Sequence, residues 1–318
     1  MRKPGPISQL SRRRFIAISA AAATLPATAR ADLPVAHWRG TALGAGASMV
    51  LTGLTPGQAA PLFAGIEAEL NRLENIFSLY RPASALSRLN HLGQLDLPPP
   101  ELLSVLSLSS TLHQKTAGAF DPTVQPLWSL WATAASRDEV PDAAAIAAAR
   151  RLTGWRNVQF DTAAIRLARP GMALTLNGIA QGYVSDRVAD LLRRQGLTGI
   201  LVDMGEINAR GLRPDGKIWR VGLSDPDSGA VTRKLRLSNR ALATSAPRGT
   251  ILDRAGKIGH ILDPRTGHPA ARWRQVSVSA PSAALADGLS TAFCLMEAKR
   301  IGVVLATLKE VRLESILA

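Results

Sequence analysis

Two oxygen-bearing side chains four residues apart, Asp287 and Thr291, interrupt the apolar stretch "PSAALADGLSTAFCLM" over 281–296. Ser282 follows a proline where an N-cap belongs, so the stretch is predicted to be helical. On a helix, i and i+4 side chains stand one above the other. A carboxylate and a hydroxyl aimed at one point are hard ligands of the kind magnesium takes, completed by waters and substrate phosphates. The same spacing also fits a buried aspartate paired with one of the chain's many arginines, or a polar face turned to water. A second constellation is "GHILDPRTGHP", a tight turn through Asp263-Pro264 and Thr266-Gly267 with His260 leading into it. A histidine can act as general base near neutral pH. Asp263 and Thr266 are equally well explained as residues that bond the turn's own backbone. The third is "GAFDPTVQPLW", in which small residues precede Phe120 and Asp121. It suits a flat heterocycle needing a face and an acceptor, or a rigid structural loop beneath the core.

Some chemistry is excluded. "GAGASM" has Met49 where a dinucleotide fingerprint needs its third glycine, and no Walker A motif occurs. Cys294 is the single cysteine, set among apolar neighbours, so it reads as an inert core residue; no zinc spacing is present.

The elements that must position these residues are helices interspersed with strands. Helices are expected at Pro61–Tyr80, with Leu62, Ile66, Leu70, Leu73 and Phe77 on one face, at Glu101–Thr116 and at Asp142–Leu152. "ALTLNGIAQGYVSDRVADLLRRQG" reads as a strand turning through Asn177-Gly178 into a helix that stops at Gly196. "ALGAGASMVLTGL", "GILVDMG", "IWRVGL", "KLRLSN" and the alternating "RQVSVSA" read as strands. With no Pro/Gly-rich linker, this is one α+β or mixed α/β domain.

The beginning of the chain is different. Arg12-Arg13-Arg14-Phe15, an alanine-rich run and Ala29-Arg30-Ala31 read as a twin-arginine export signal over 1–31, with a mature chain from Asp32 in the bacterial periplasm. The run is too short for a membrane anchor. The formal charge is +14, and removing six basic leader residues leaves +8. That excess suits an anionic ligand or a membrane surface; without interleaved aromatics or a motif, nucleic acid is not an expected partner.

Taken in order, "FSLYRPASALSRLN", "GAFDPTVQPLWSLW", "LTLNGIAQGYVSD", "VDMGEINARG", "IWRVGLSDP", "LATS", "HILDPRTGHP" and "APSAALADGLSTA" resemble the FAD:protein FMN transferases of the ApbE family. The leader is similar to that of exported members linked to nitrous oxide reduction. The resemblance implies a single α+β, T-fold-like domain over 32–318 with mixed sheets and packed helices. It implies that Asp287, Thr291 and a backbone carbonyl, here Gly178, hold Mg²⁺, and that His260 is the catalytic base. It implies FAD contacts at Leu43, Tyr80, Ala119, Phe120, Asp121, Thr175, Gln181 and Leu262. Thr175 and Gln181 stand where the family usually places an acidic and a charged residue, and "SAPRG" lacks a tyrosine often found after "LATS".

The implied reaction moves FMN from FAD to a threonine hydroxyl, releasing AMP. The implied acceptors are periplasm-facing flavin domains of membrane electron-transfer proteins of the NosR, Rnf or Nqr kind. Hydrolysis of FAD to FMN and AMP, flavin binding without catalysis, and a role in assembling a membrane redox complex are the other readings.

Overall fold

The computed structural model describes residues 33–318; the expected leader, 1–31, lies outside the described residues. Twelve strands form around the helices: β1 (Val35–Ala42), β2 (Ala45–Thr52), β3 (Gln94–Asp96), β4 (Val158–Phe160), β5 (Ala164–Leu167), β6 (Ile200–Asp203), β7 (Ile207–Arg210), β8 (Trp219–Ser224), β9 (Val231–Leu237), β10 (Arg240–Ser245), β11 (Gln275–Ala280) and β12 (Arg312–Leu317). The main sheet has the order β1-β2-β6-β7-β10-β11-β12; β3-β5-β4 and β8-β9 are separate. The class is α+β, and every described pairing is antiparallel, so the sheets are not mixed as expected. The helices are α1 (Pro56–Phe77), α2 (Ala85–Leu92), α3 (Pro100–Lys115), α4 (Gln125–Ala135), α5 (Ala143–Arg151), α6 (Ala180–Arg194), α7 (Ala283–Phe293) and α8 (Ala298–Ala306). Among the described residues no helix is long and apolar enough to cross a membrane.

Alternation decides which face of the main sheet meets what. Met49, Leu51, Ile200, Val202, Val276 and Val278 point into the core shared with the helices. Leu201, Ile207, Ala209 and Leu242 point the other way, under the apolar side of the β8–β9 hairpin. Covered on both faces, β11 is buried at all six positions, where the sequence suggested alternate exposure. Its serines survive burial by hydrogen bonding: Ser277 pairs with Thr244, and Ser279 donates to Glu314.

Two expectations shift. Helix α1 begins five residues before Pro61, because Thr55 and Gln58 form a capping box that the proline obscured. The segment 172–176 is not a strand. Asn90 imitates a strand partner, donating to the Leu174 carbonyl at 2.8 Å and accepting its N–H at 2.7 Å.

Helices α6 and α7 cross where Gly182 has no side chain. A Cβ there would lie 2.3 Å from the Ala283 carbonyl oxygen, backbone against backbone. Gly182→Ala is expected to cost about 1–3 kcal/mol by overpacking. Gly65→Ala, on the exposed side of α1 with open space around it, is expected to gain about 0.5–1 kcal/mol. Thermal unfolding of both variants checks the contrast.

Candidate active site

The α6–α7 crossing brings Asp287 and the turn before α6 together. Asp287 lies in the second turn of α7, whose N-cap Ser282 accepts from Leu285 N–H. Its Oδ2 accepts the Gly182 N–H at 3.1 Å. A Cβ on Gly178 would fall 2.9 Å from Thr291 Oγ1, so that stretch of backbone lies directly against the hydroxyl. Gly178, Asp287 and Thr291 are thus gathered around the start of α6.

Asp287 is only 3% exposed. Among the described residues no Lys, Arg or His forms an ion pair with it, which removes the arginine-paired alternative. Burial pushes its carboxyl up to about 7, against the Gly182 hydrogen bond and with help from the charge of Asp186. Two further acids belong to this region and were not foreseen. Glu206 is pushed well up by burial, then by the charges of Asp287 and Asp203. Asp186 is raised to about 6 by burial although it accepts the Ala283 and Ala284 N–H groups at 2.7 and 3.0 Å. It caps α7 from α6, a contact between segments 97 residues apart for which the local sequence carries no signal. Glu206 sits just past the strand read in "GILVDMG", within a motif of the resemblance that gave it no role.

These surroundings fit a cation: a buried carboxylate without a positive partner, a hydroxyl, and the Gly178 backbone lying against that hydroxyl. Among the described residues no three His, Cys, Asp or Glu side chains converge as a metal cluster. A donor set of one carboxylate, one hydroxyl and the carbonyl that the resemblance implies at Gly178 would leave positions for substrate oxygens, which is magnesium's habit rather than zinc's.

His260 is joined to this region by the loop after β10. Ser245 Oγ is 2.7 Å from Ser290 Oγ and 3.2 Å from Thr291 Oγ1. Two residues on, the Pro247 carbonyl lies 3.1 Å from His260 Nδ1, and the Thr250 carbonyl 3.2 Å. Two residues span at most about 7 Å, so one short loop touches both the hydroxyl and the imidazole. The Thr250 N–H also lies 3.3 Å from Nδ1, so the loop fixes the ring's orientation in either tautomer; with the proton on Nδ1, shared with the two carbonyls, the basic lone pair is on Nε2.

The rest of the histidine turn is scaffolding. Asp263 holds Arg265 through two hydrogen bonds of 2.9 and 2.7 Å, and Arg265 ties the turn to the Leu295 carbonyl beyond α7. Leu262 packs into the cluster of Leu127, Trp131, Ile146 and Leu252, and Trp131 donates to the Gly267 carbonyl at 2.8 Å.

The remaining expected flavin positions divide. Tyr80, 67% exposed, forms the rim of a cleft of about 690 Å³ with Arg88, His91, Trp128 and Asn177. Asn177 is the neighbour of Gly178, so this cleft opens beside the cation region. Ala119 and Phe120 are buried, and both Asp121 oxygens are engaged: Oδ1 by Thr123 N–H and hydroxyl, Oδ2 by Trp155 N–H. The side chains of this segment serve as a structural loop. Thr175 N–H donates to the Pro122 carbonyl at 2.8 Å. Gln181 packs its amide on Gly205, where a Cβ would come within 2.9 Å of it. Leu43 turns the β1–β2 hairpin at φ 47°, and its N–H donates to Glu74 Oε1 at 3.0 Å. Glu74 Oε2 pairs with Arg81, next to Tyr80.

One carboxylate therefore ties Leu43 and the Tyr80 segment to α1. Glu74→Ala is expected to raise KM for FAD about tenfold, the scale of one charged hydrogen bond lost, about 1.4 kcal/mol, with kcat little changed. Steady-state kinetics over a range of FAD concentrations reads this out.

The ApbE family model matches residues 43–315. A FAD:protein FMN transferase of Klebsiella pneumoniae strain 342 is 30% identical over 287 residues, covering 86% of this chain and 81% of that protein. The flavin transferase ApbE from Vibrio cholerae superposes with a TM-score of 0.76 at 30% identity, covering 86% of this chain and 91% of that one. The apo form of the Pseudomonas stutzeri flavinyl transferase ApbE gives 0.76 at 29% identity, covering 88% and 90%.

Proposed function

This chain belongs to the ApbE family, and from that premise we infer that it transfers the FMN portion of FAD to a threonine hydroxyl of a target protein, with Mg²⁺ at Gly178, Asp287 and Thr291. The flavin transferase activity itself follows from the relatives across most of the chain. The observation that carries the finer reading is the 245–250 loop, which contacts Thr291 through Ser245 and His260 through Pro247 and Thr250.

The pyrophosphate of FAD is highly anionic, and a divalent ion bound at Asp287 and Thr291 would supply charge neutralisation there. The chain's own residues do the rest. His260 Nε2 takes the proton as the acceptor oxygen bonds to the FMN-side phosphorus. The bond from that phosphorus to the oxygen of AMP breaks, and AMP leaves. Positioning and electrostatics account for most of such a transfer. The cleft beside Asn177, with Tyr80 and Trp128 for stacking, is the place for the flavin end.

We further propose that the protein works in the periplasm after twin-arginine export. Its acceptor is then a periplasm-facing flavin domain of a membrane electron-transfer protein of the NosR, Rnf or Nqr kind. Intact-mass measurement of such a domain, incubated with this protein, FAD and Mg²⁺, tests the reading. One added FMN on a threonine is expected. Free FMN with unmodified acceptor would make the protein a FAD hydrolase instead, and intact FAD with unmodified acceptor would leave it a flavin binder.

A further inference from the structure

The β8–β9 hairpin presents a basic face that nothing in the described fold uses. Its inner side, Trp219, Val221, Leu223, Leu235 and Leu237, packs on the main sheet. Its outer side carries Arg220, Lys234 and Arg236, all exposed. Arg220 stands directly across from Arg236, and Lys234 is across from Gly222. Like charges placed opposite each other in an antiparallel pair destabilise the pair. None of the three forms an ion pair among the described residues, although thirteen such pairs occur elsewhere. Arg233 adds a fourth exposed cation at the rim, its guanidinium resting on the Glu314 carbonyl.

We propose that this face docks on an anionic phospholipid surface. Charge complementarity selects an anionic partner, and the shape of the face selects among anions. It is the flat side of two strands, and the exposed residues between its cations are small or polar: Thr232 on β9, with Gly222 buried beneath Lys234. None of the exposed large hydrophobic residues lies on either strand. A protein partner is ordinarily held by aromatic or aliphatic anchors in pockets, which this face lacks. A bilayer carrying negative headgroups requires only several cations near its plane, each contributing independently. The docking is weak and reversible, and it falls with salt as exposed charges are screened. It does not depend on which protein accepts the flavin.

Cosedimentation of the full chain with phosphatidylglycerol-containing vesicles, and with phosphatidylcholine vesicles alone, tests this. Binding to the anionic vesicles only, weakening with added salt, is expected. Arg220→Ala and Arg236→Ala are each expected to weaken the partition about fivefold, the equivalent of about 1 kcal/mol per basic residue, and the double variant about 25-fold. Both substitutions relieve the cross-strand repulsion, so Tm holds or rises, which separates a binding loss from misfolding. Unchanged vesicle binding in the double variant, or equal binding to neutral vesicles, overturns the proposal. So does retention on a polyanion such as heparin without vesicle binding, which would assign the face to a nucleic acid or acidic protein. Transfer activity on a free acceptor domain is unaffected by these substitutions, so a failed transferase and a failed membrane face give different results.

Discussion

With Mg²⁺ at Asp287 as proposed, Asp287→Asn is expected to abolish flavin transfer, with a loss of about 10³-fold or more, because the several kcal/mol of charge stabilisation that the cation would supply goes with the carboxylate. The substitution keeps the shape of the side chain and an oxygen to accept the Gly182 N–H. The fold is therefore retained, and only the charge is lost. Without metal, the folded protein holds the Asp287 proton up to about pH 7, whereas the unfolded chain releases it near 3.8. The folded state binds more protons between those values, so the metal-free protein loses stability as pH rises through that window. Glu206 and Asp186 are raised by burial as well and act in the same direction. Magnesium binds the ionised form, so each pH unit below about 7 costs about tenfold in affinity. Differential scanning fluorimetry with and without Mg²⁺ should show a larger rise in Tm at pH 8 than at pH 6. In the Asn variant that rise disappears, and the metal-free protein is at least as stable as wild type at pH 8. A full magnesium response in the variant would move the cation away from Asp287.

The parts of this site that were legible in the sequence are those where local spacing fixes geometry. Asp287 and Thr291 share a helix face by their separation, and Ser282 marks where that helix starts. The ordered motifs suggested what spacing leaves open, the role proposed for His260 among them. The less legible parts arise from contacts between distant segments. Asp186 caps α7 across 97 residues of sequence, and Glu206, in the turn between β6 and β7, becomes part of a buried acidic region only when that turn is held against α6, where the Ser185 hydroxyl donates to its carbonyl. Asp121 offered the right chemistry for a flavin acceptor, yet its oxygens are taken by Thr123 and by Trp155, 34 residues away. The segment before α6 has strand-like composition, but Asn90 provides the partner that a strand would have supplied. A one-letter pattern carries propensity; it does not carry which distant polar group satisfies a given backbone.

His260 gives the second large effect, and its geometry allows base and scaffold to be separated. Nδ1 holds the 245–250 loop through the Pro247 and Thr250 carbonyls, and Nε2 is the atom assigned to the acceptor's proton. His260→Ala removes both functions. Transfer is expected to fall about 10²–10⁴-fold, the usual contribution of a positioned base, with a smaller loss of thermal stability as two hydrogen bonds at the loop disappear. His260→Asn is the more informative variant, because its amide can still donate to a loop carbonyl while lacking any basic nitrogen. It should recover most of the stability and none of the transfer. In both variants Kd for FAD, followed by flavin fluorescence, should stay within about twofold of wild type, since proton removal contributes to the transition state and not to ground-state binding. Equal losses of FAD binding and transfer in the Asn variant would instead make His260 a binding residue. Recovery of transfer along with stability would make it a loop anchor, and the proton would then have to leave by another group.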